Sequence, residues 1–367
     1  VDAGATPPVR GVHEKTASAA QAIEGRDAKR IRYLDGWRGL SLICVLIGHF
    51  GQAPGVKIGP LGVELFFVLS GRLMAEILFV EKFPLKRFYA RRFSRIYPAL
   101  AAFATIAFVV LLNTPLRFKP AFVATDLTFS YNYFAALGHH RADANDHIWS
   151  LCVEEHAYIL LGLIAWAARA RRLPAVAVIA ALAVASMVDG VVSSLLGQNW
   201  FDAYWRTDAH VASVLVSAAI YLATRKAGWV GAQPGLAVLA PACLAVGVLL
   251  NAEAFSDTVS YTMGTTLLAL AVCTLDAAPR ALRALLSSPL LAWVGVLSYS
   301  IYLWQQPFYA AIFLAPPSPG RSLVMLTGAV AAGAASFYLI EQPARRFLNR
   351  RLAGGRPSAG LSVRPAE

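Results

Sequence analysis

Arg38 and His49 stand eleven positions apart in WRGLSLICVLIGHF, and Leu40 to Gly48 between them hold nothing more polar than one serine and one cysteine. A guanidinium binds anions through a fixed fork of donors, and an imidazole moves protons near neutral pH. On a helix, eleven residues turn through three revolutions plus about 20° and climb roughly 16 Å. The two side chains therefore share a face at different depths, which suits a pocket that binds an anion below and reacts above. The competing account is an arginine that snorkels to lipid phosphate and a histidine that caps an interface.

Other ionisable residues sit in equally apolar surroundings. GPLGVELFFVLSGRLMAEIL supplies Glu64 and, about 12 Å further along a helix, Arg72. HIWSLCVEEHAYILL supplies Glu154, Glu155 and His156, and Asp189 interrupts a later block. A charge at mid-membrane costs about 2.5–3.5 kcal/mol even on a lenient scale, so each is a functional candidate. Glu64, His49 and Glu154 are all expected in the outer half of the layer. A carboxylate beside a histidine fixes its tautomer and raises its basicity, the usual equipment for proton abstraction; a buried structural ion pair uses the same residues. RFYARRFSRIYP, with Arg87, Arg91, Arg92 and Arg95 ahead of Pro98, offers forks for phosphate near a helix start. Positive charge on an inner loop needs no ligand to explain it, however.

The elements that must hold these residues follow from composition. Of 367 residues 57% are hydrophobic and only 15% charged, and mean hydropathy is +0.55. Apolar blocks recur that approach the roughly 20 residues a bilayer requires. The sequence predicts an all-α polytopic membrane protein with about ten spans, at 37–54, 61–80, 97–112, 148–168, 174–196, 209–223, 235–251, 260–275, 291–314 and 322–341. With the first segment in the cytoplasm, most of the 33 Lys and Arg fall on inner segments, including RARR at 169–172 and ARRFLNRR near the end. Both termini are therefore predicted to be cytoplasmic. The same one-sidedness reads the net charge of +12 as a membrane face rather than a nucleic-acid surface. The stretch 113–146 is read as an outer connection whose amphipathic middle does not cross. Residues 1–32 are expected to be a disordered leader, 33–347 the transmembrane domain and 348–367 a disordered tail. Cys44, Cys152, Cys243 and Cys273 are scattered and read as packing residues, and no metal site is expected.

Taken together, YLDGWRGLSLICVLIGHF, GVELFFVLSGRLM, RRFSRIYP, HIWSLCVEEHAYIL, LSYSIYLWQQP and IEQPARRF resemble the acyltransferase-3 family, in the family's order and over nearly the whole chain. The resemblance implies transfer of an acyl group, often acetyl from acetyl-CoA, to a hydroxyl of a surface glycan, a lipid-linked saccharide or a small natural product. It implies that Arg38 and His49 are the paired residues of the first helix, and that Arg92 and Arg95 form the arginine-x-x-arginine motif at the cytoplasmic face. Ser150 and Glu154 belong to its S-x-x-V-E-E block. Two positions depart from it: Gln305 stands where histidine is common, and His156 where glutamine is. The expected roles are His49 as general base, with acetyl-histidine an open alternative, and Glu154 orienting it or contacting the acceptor, with Glu64 as runner-up. Arg38, Arg92, Arg95 and Arg72 are expected to hold acyl-CoA, and Ser150, Trp149 and Gln305 to contact substrate. The bilayer, acyl-CoA and a glycan acceptor are the expected partners, at the cell inner membrane. A transporter of a glycan or lipid precursor would use similar buried charges, but paired repeats with broken helices are not evident.

Overall fold

The computed structural model describes residues 31–51, 53–137, 144–198, 200–229, 236–316 and 318–352. Residues 1–30 and 353–367, most of the expected leader and tail, lie outside the described residues. Among those described, everything regular is helical apart from an isolated antiparallel bridge between Val56 and Ala252.

Apolar helices occupy each expected block. They are α1 Arg32–Phe50, α2 Ile58–Ala75, α3 Leu85–Leu111, α4 Ile148–Arg171 and α5 Ala175–Leu195. They continue as α6 Ala212–Lys226, α7 Leu239–Leu249, α8 Thr265–Cys273, α9 Pro289–Ile312 and α10 Pro319–Ser336. Among the described residues five helices are long and apolar enough to cross a membrane: Leu85–Leu111, Ile148–Arg171, Ala175–Leu195, Thr207–Lys226 and Pro319–Arg351. A sixth is added if Arg280–Leu286 and Pro289–Ile312, bent by 52°, form one span. By length and composition this is a multi-pass helical membrane protein.

The centre is built on α1, which packs on α2 and on α9 more extensively than any other two elements pack together. Their closeness depends on residues without side chains. A Cβ on Gly39 would lie 2.1 Å from the Leu291 carbonyl oxygen, and one on Gly295 would lie 1.8 Å from that of Asp35. Backbones that approach this nearly leave room for glycine alone, as small-residue packing between membrane helices requires. Trp37, fully buried in the same region, donates its indole N–H to the Leu65 carbonyl at 2.9 Å and so fixes the rotation of α1 against α2.

Two stretches differ from expectation. The basic run read as an inner loop is helical from Leu85 onward, so Arg87, Arg91, Arg92 and Arg95 ride on the first three turns of α3. Proline at 98 does not delay the helix, because its ring only removes the hydrogen bond to Ser94 one turn earlier. Residues 348–352, expected to be disordered, continue the helix Gln342–Leu352; Ser94 Oγ reaches Asn349 Oδ1 at 2.6 Å and ties that helix to α3.

The connection between α3 and α4 forms short helices, Pro120–Leu127 and Tyr131–Ala136, neither long enough to cross. Beneath them Asp126 is fully buried, and Asn145 Nδ2 donates to both its oxygens at 3.1 and 2.9 Å. Burial pushes this carboxyl up to about 8; the Asn145 amide opposes the rise and neighbouring Asp146 adds to it. The folded form thus holds its proton while the unfolded chain ionises near pH 4. Stability from this group is complete below that pH and is lost as pH rises towards 8, at up to ~1.4 kcal/mol per pH unit. Asp126→Asn is expected to flatten that decline, as read by thermal unfolding of detergent-purified protein between about pH 5 and pH 8.

Candidate active site

Five helices converge on a cavity that is open to its surroundings. Arg38 enters from α1, Ser70 from α2, Arg92 and Arg95 from α3, and Ser150 and Glu154 from α4; Tyr302 of α9 closes one side. Helical spacing explains the set. Arg92 and Arg95, three apart, project from one face of α3, and Ser150, Glu154 and Tyr158 follow one another at four-residue steps along α4. The sequence separates the α3 pair from the α4 set by more than fifty positions, and Arg38 from Tyr302 by more than two hundred.

The wall is strongly basic, and its acids are already engaged. Arg92 lies 3.4 Å from Glu155 Oε1 and places its guanidinium 3.6 Å above the centre of the Tyr158 ring. Its buried Nε has no hydrogen-bond partner among the described residues. Arg38 is 3.6 Å from Asp35. Arg95 forms no ion pair among the described residues. Glu154 accepts a hydrogen bond from Ser70 Oγ at 2.5 Å and another from the Tyr158 hydroxyl. An anion with several oxygens would find spare forked donors here.

At the other end the cavity is bounded by a hydroxyl pair. Ser150 Oγ and the Tyr302 hydroxyl are 2.6 Å apart, and each also reaches the His147 carbonyl oxygen, at 3.1 Å. Beyond this pair stands His49, in the last turn of α1. Its Nδ1 is 2.6 Å from Gln305 Oε1, and its ring stacks on Tyr309 at 4.3 Å with planes 13° apart. Gln305 Nε2 in turn donates to Gln306 Oε1 at 3.2 Å, which turns the Gln305 oxygen towards the histidine. Nδ1 therefore carries the hydrogen, and Nε2 keeps a lone pair able to accept a proton. The neutral amide at 305 orients the imidazole without placing a charge beside it.

Several predicted residues are gathered here and others are not. Arg38, Arg92, Arg95, Ser150 and Glu154 line the cavity; His49 and Gln305 pair beyond its rim. Glu154 is not on His49, because it sits about 9 Å down α4 and faces the arginines instead. Glu64 is not on His49 either. It is buried against His210, whose Nε2 is 2.6 Å from Oε1, while Ser213 and Thr265 donate to Oε2 at 2.7 and 3.0 Å. Arg72 does not line the cavity: it is buried on Asp276 at 2.6 Å and on the Val272 carbonyl, and Tyr33 shares that aspartate at 2.5 Å. Trp149 packs on Phe67, Tyr204 and His210, next to the cavity wall but not in it. Among the described residues no three metal-ligating side chains converge.

Sequence reasoning passed over Tyr158, Tyr302, His147 and His210. Tyr158 was signalled by its place one turn after Glu154 on the same face. Tyr302 and His147 stand inside stretches that carry the resemblance, yet aromatic and imidazole rings in apolar blocks read as packing. His210 had no local signal, since its partner lies 146 positions away.

The site is thus an arginine-walled cavity inside a multi-pass helical bundle, with an oriented imidazole beyond its rim. The chain belongs to the acyltransferase-3 family: the family's model, described as an acyltransferase domain, matches residues 31–340. Among similar proteins, the peptidoglycan O-acetyltransferase OatA of Listeria monocytogenes is 25% identical over 88% of this chain and 57% of its own length. YrhL of Bacillus subtilis is 29% identical over 87% of this chain and 56% of its own. The O-acetyltransferase OatA of Staphylococcus aureus is 30% identical over shorter shares, 39% and 27%. The chain thus spans about half the length of the first two curated relatives it matches. No solved structure matches it significantly.

Proposed function

We propose that this protein is a membrane O-acyltransferase that takes an acyl group, acetyl in the first instance, from acyl-CoA and transfers it to a hydroxyl of a cell-surface glycan. The observation that carries the reading is the cavity running from Arg38, Arg92 and Arg95 towards Ser150 and Tyr302, with His49 beyond. Coenzyme A bears phosphates on a long, uncharged arm that ends in the thioester. In this reading the arginines hold the phosphates, the arm lies along the cavity, and the thioester reaches the end nearest His49.

His49 Nε2 then takes the proton of the acceptor hydroxyl as that oxygen attacks the acyl carbonyl. The new C–O bond forms, the C–S bond breaks, and the imidazolium returns its proton to the departing thiolate. Glu154, anchored by Ser70 and Tyr158, keeps the guanidinium cluster compact when no phosphate is present. The basic end belongs on the cytoplasmic side, where acyl-CoA is found, so ten spans in the cell inner membrane with both termini cytoplasmic suit this division. The names of the relatives make peptidoglycan the first glycan to try.

The test is direct. Membranes containing the protein are incubated with acetyl-CoA labelled in the acetyl group, together with peptidoglycan fragments or other cell-surface saccharides. Alkali-labile label in the saccharide, absent from membranes lacking the protein, is the expected result. Membranes that label no hydroxylic acceptor would overturn the reading.

A further inference from the structure

His147 immediately precedes α4, one helical turn outward from Ser150, and it is 4% exposed. Its surroundings are aromatic: the Phe103 ring meets it edge-on at 5.4 Å and the Tyr302 ring at 5.3 Å. Among the described residues neither ring nitrogen reaches a hydrogen-bond partner. The imidazole approaches the carbonyl of Leu303 without attaining hydrogen-bond geometry. That carbonyl is itself unusual, because the residue four positions on is Pro307, which has no N–H to give it.

Whichever tautomer is present, at least one ring N–H is therefore buried without an acceptor. Such a group costs about 1–3 kcal/mol, and buried polar groups in native proteins nearly always find a partner, from the protein, from water or from a ligand. The position narrows the choice of ligand. His147 offers its carbonyl oxygen to Ser150 and Tyr302, the two hydroxyls bounding the cavity, and its ring lies close enough to His49 to interact electrostatically. The cavity runs from the arginines past Glu154 to Ser150 and Tyr302, and beyond its lining, next to that hydroxyl pair and to each other, lie His147 and His49. A thioester delivered through the cavity and a hydroxyl activated by His49 must meet between the last two.

We propose that His147 is a further catalytic residue, whose ring N–H hydrogen-bonds the acyl carbonyl oxygen and stabilises the negative charge that develops there during transfer. The inference rests on the acyl-transfer reading above and adds a second imidazole to it. No proton changes hands at His147. The acceptor oxygen bonds to the carbonyl carbon, the C–O π electrons move onto the carbonyl oxygen facing His147, and they return as the C–S bond breaks and the thiolate departs. Oxygen in that intermediate is a far better acceptor than the Leu303 carbonyl, so the interaction strengthens in the transition state, where it accelerates the reaction.

Removing one oxyanion donor typically lowers kcat by about 10²–10³-fold. His147→Leu is expected to lower the acyl-transfer rate at saturating acetyl-CoA by that factor, with KM for acetyl-CoA and the amount of membrane-inserted protein unchanged. His147→Gln and His147→Asn keep an N–H donor and are expected to recover at least about tenfold of the loss, which a ring needed only for packing would not show. A His147→Leu protein within about threefold of wild type overturns the inference. So does a loss that neither amide variant relieves, and should the leucine variant fail to accumulate, the two amide variants decide by the same criterion against wild type. Indifference of the variants while wild type transfers acetyl strikes this inference alone; a wild-type protein that transfers no acyl group removes the reading beneath it as well.

Discussion

His49→Ala is expected to lower acyl transfer by about 10²–10⁴-fold, the usual contribution of a positioned general base. The variant should insert normally, since His49 stands half-buried near the end of α1 and its loss empties a stacking contact with Tyr309 rather than the central core. The measurement is initial rate against protein quantified in the membrane, with acyl-CoA binding followed separately. Binding should be intact, because the arginines that hold the donor lie at the other end of the cavity. Wild-type rate in this variant would remove His49 from the chemistry. Gln305→Leu provides an internal control: it deletes the acceptor that fixes the His49 tautomer while sparing the base itself. Its rate should fall between those of wild type and His49→Ala.

The paired change Arg92→Ala with Arg95→Ala is expected to act on the opposite quantity. Charged hydrogen bonds contribute about 1.5–3 kcal/mol each, so the pair should raise KM for acyl-CoA by about 10²–10⁴-fold, with a much smaller change in kcat. Arg95→Ala alone is the cleaner half, because Arg95 forms no ion pair among the described residues and its removal strands nothing. Arg92→Ala leaves Glu155 without its guanidinium and uncovers the Tyr158 ring, so some loss of protein is expected there. Titration with free coenzyme A, lacking the acyl group, separates the two causes: weakened binding of the free cofactor assigns the effect to the phosphates. A loss in kcat with unchanged KM would place the donor elsewhere.

Both variants probe residues that could be picked out before any coordinates, and the reason is energetic. Arg38, His49, Glu154 and Ser150 stand in segments otherwise apolar enough for lipid, where an ionisable or hydrogen-bonding group is costly unless it is used. Cost of that kind is visible in a linear string. Its pairing is not. Glu64 and His49 looked like partners because each lies a short way into the outer half of its helix, yet depth along a helix leaves rotation about its axis open. Glu64 faces α6 and α8, where Ser213 and Thr265 meet it, and its histidine comes from a turn just before α6. Arg72 looked available for a ligand for the same reason, and the acid that occupies it, Asp276, follows α8 some 200 positions later.

The chain's own order of residues determined the helical class, the apolar blocks and the depth of each polar group, because hydropathy and helical rise act on neighbouring residues and need no fold to be read. It also marked 113–146 as a stretch without a spanning helix, and among its described residues the helices are short. Only the tertiary structure decided which of those polar groups share a space. Backbone contact at Gly39 and Gly295 sets how closely α1 and α9 approach, and the Trp37 bond to Leu65 sets how α1 is turned against α2. The packing sets three arginines and a glutamate on one cavity, pairs Glu64 with His210, and leaves the His147 ring nitrogens without a hydrogen-bond partner among the described residues, none of which local periodicity can specify.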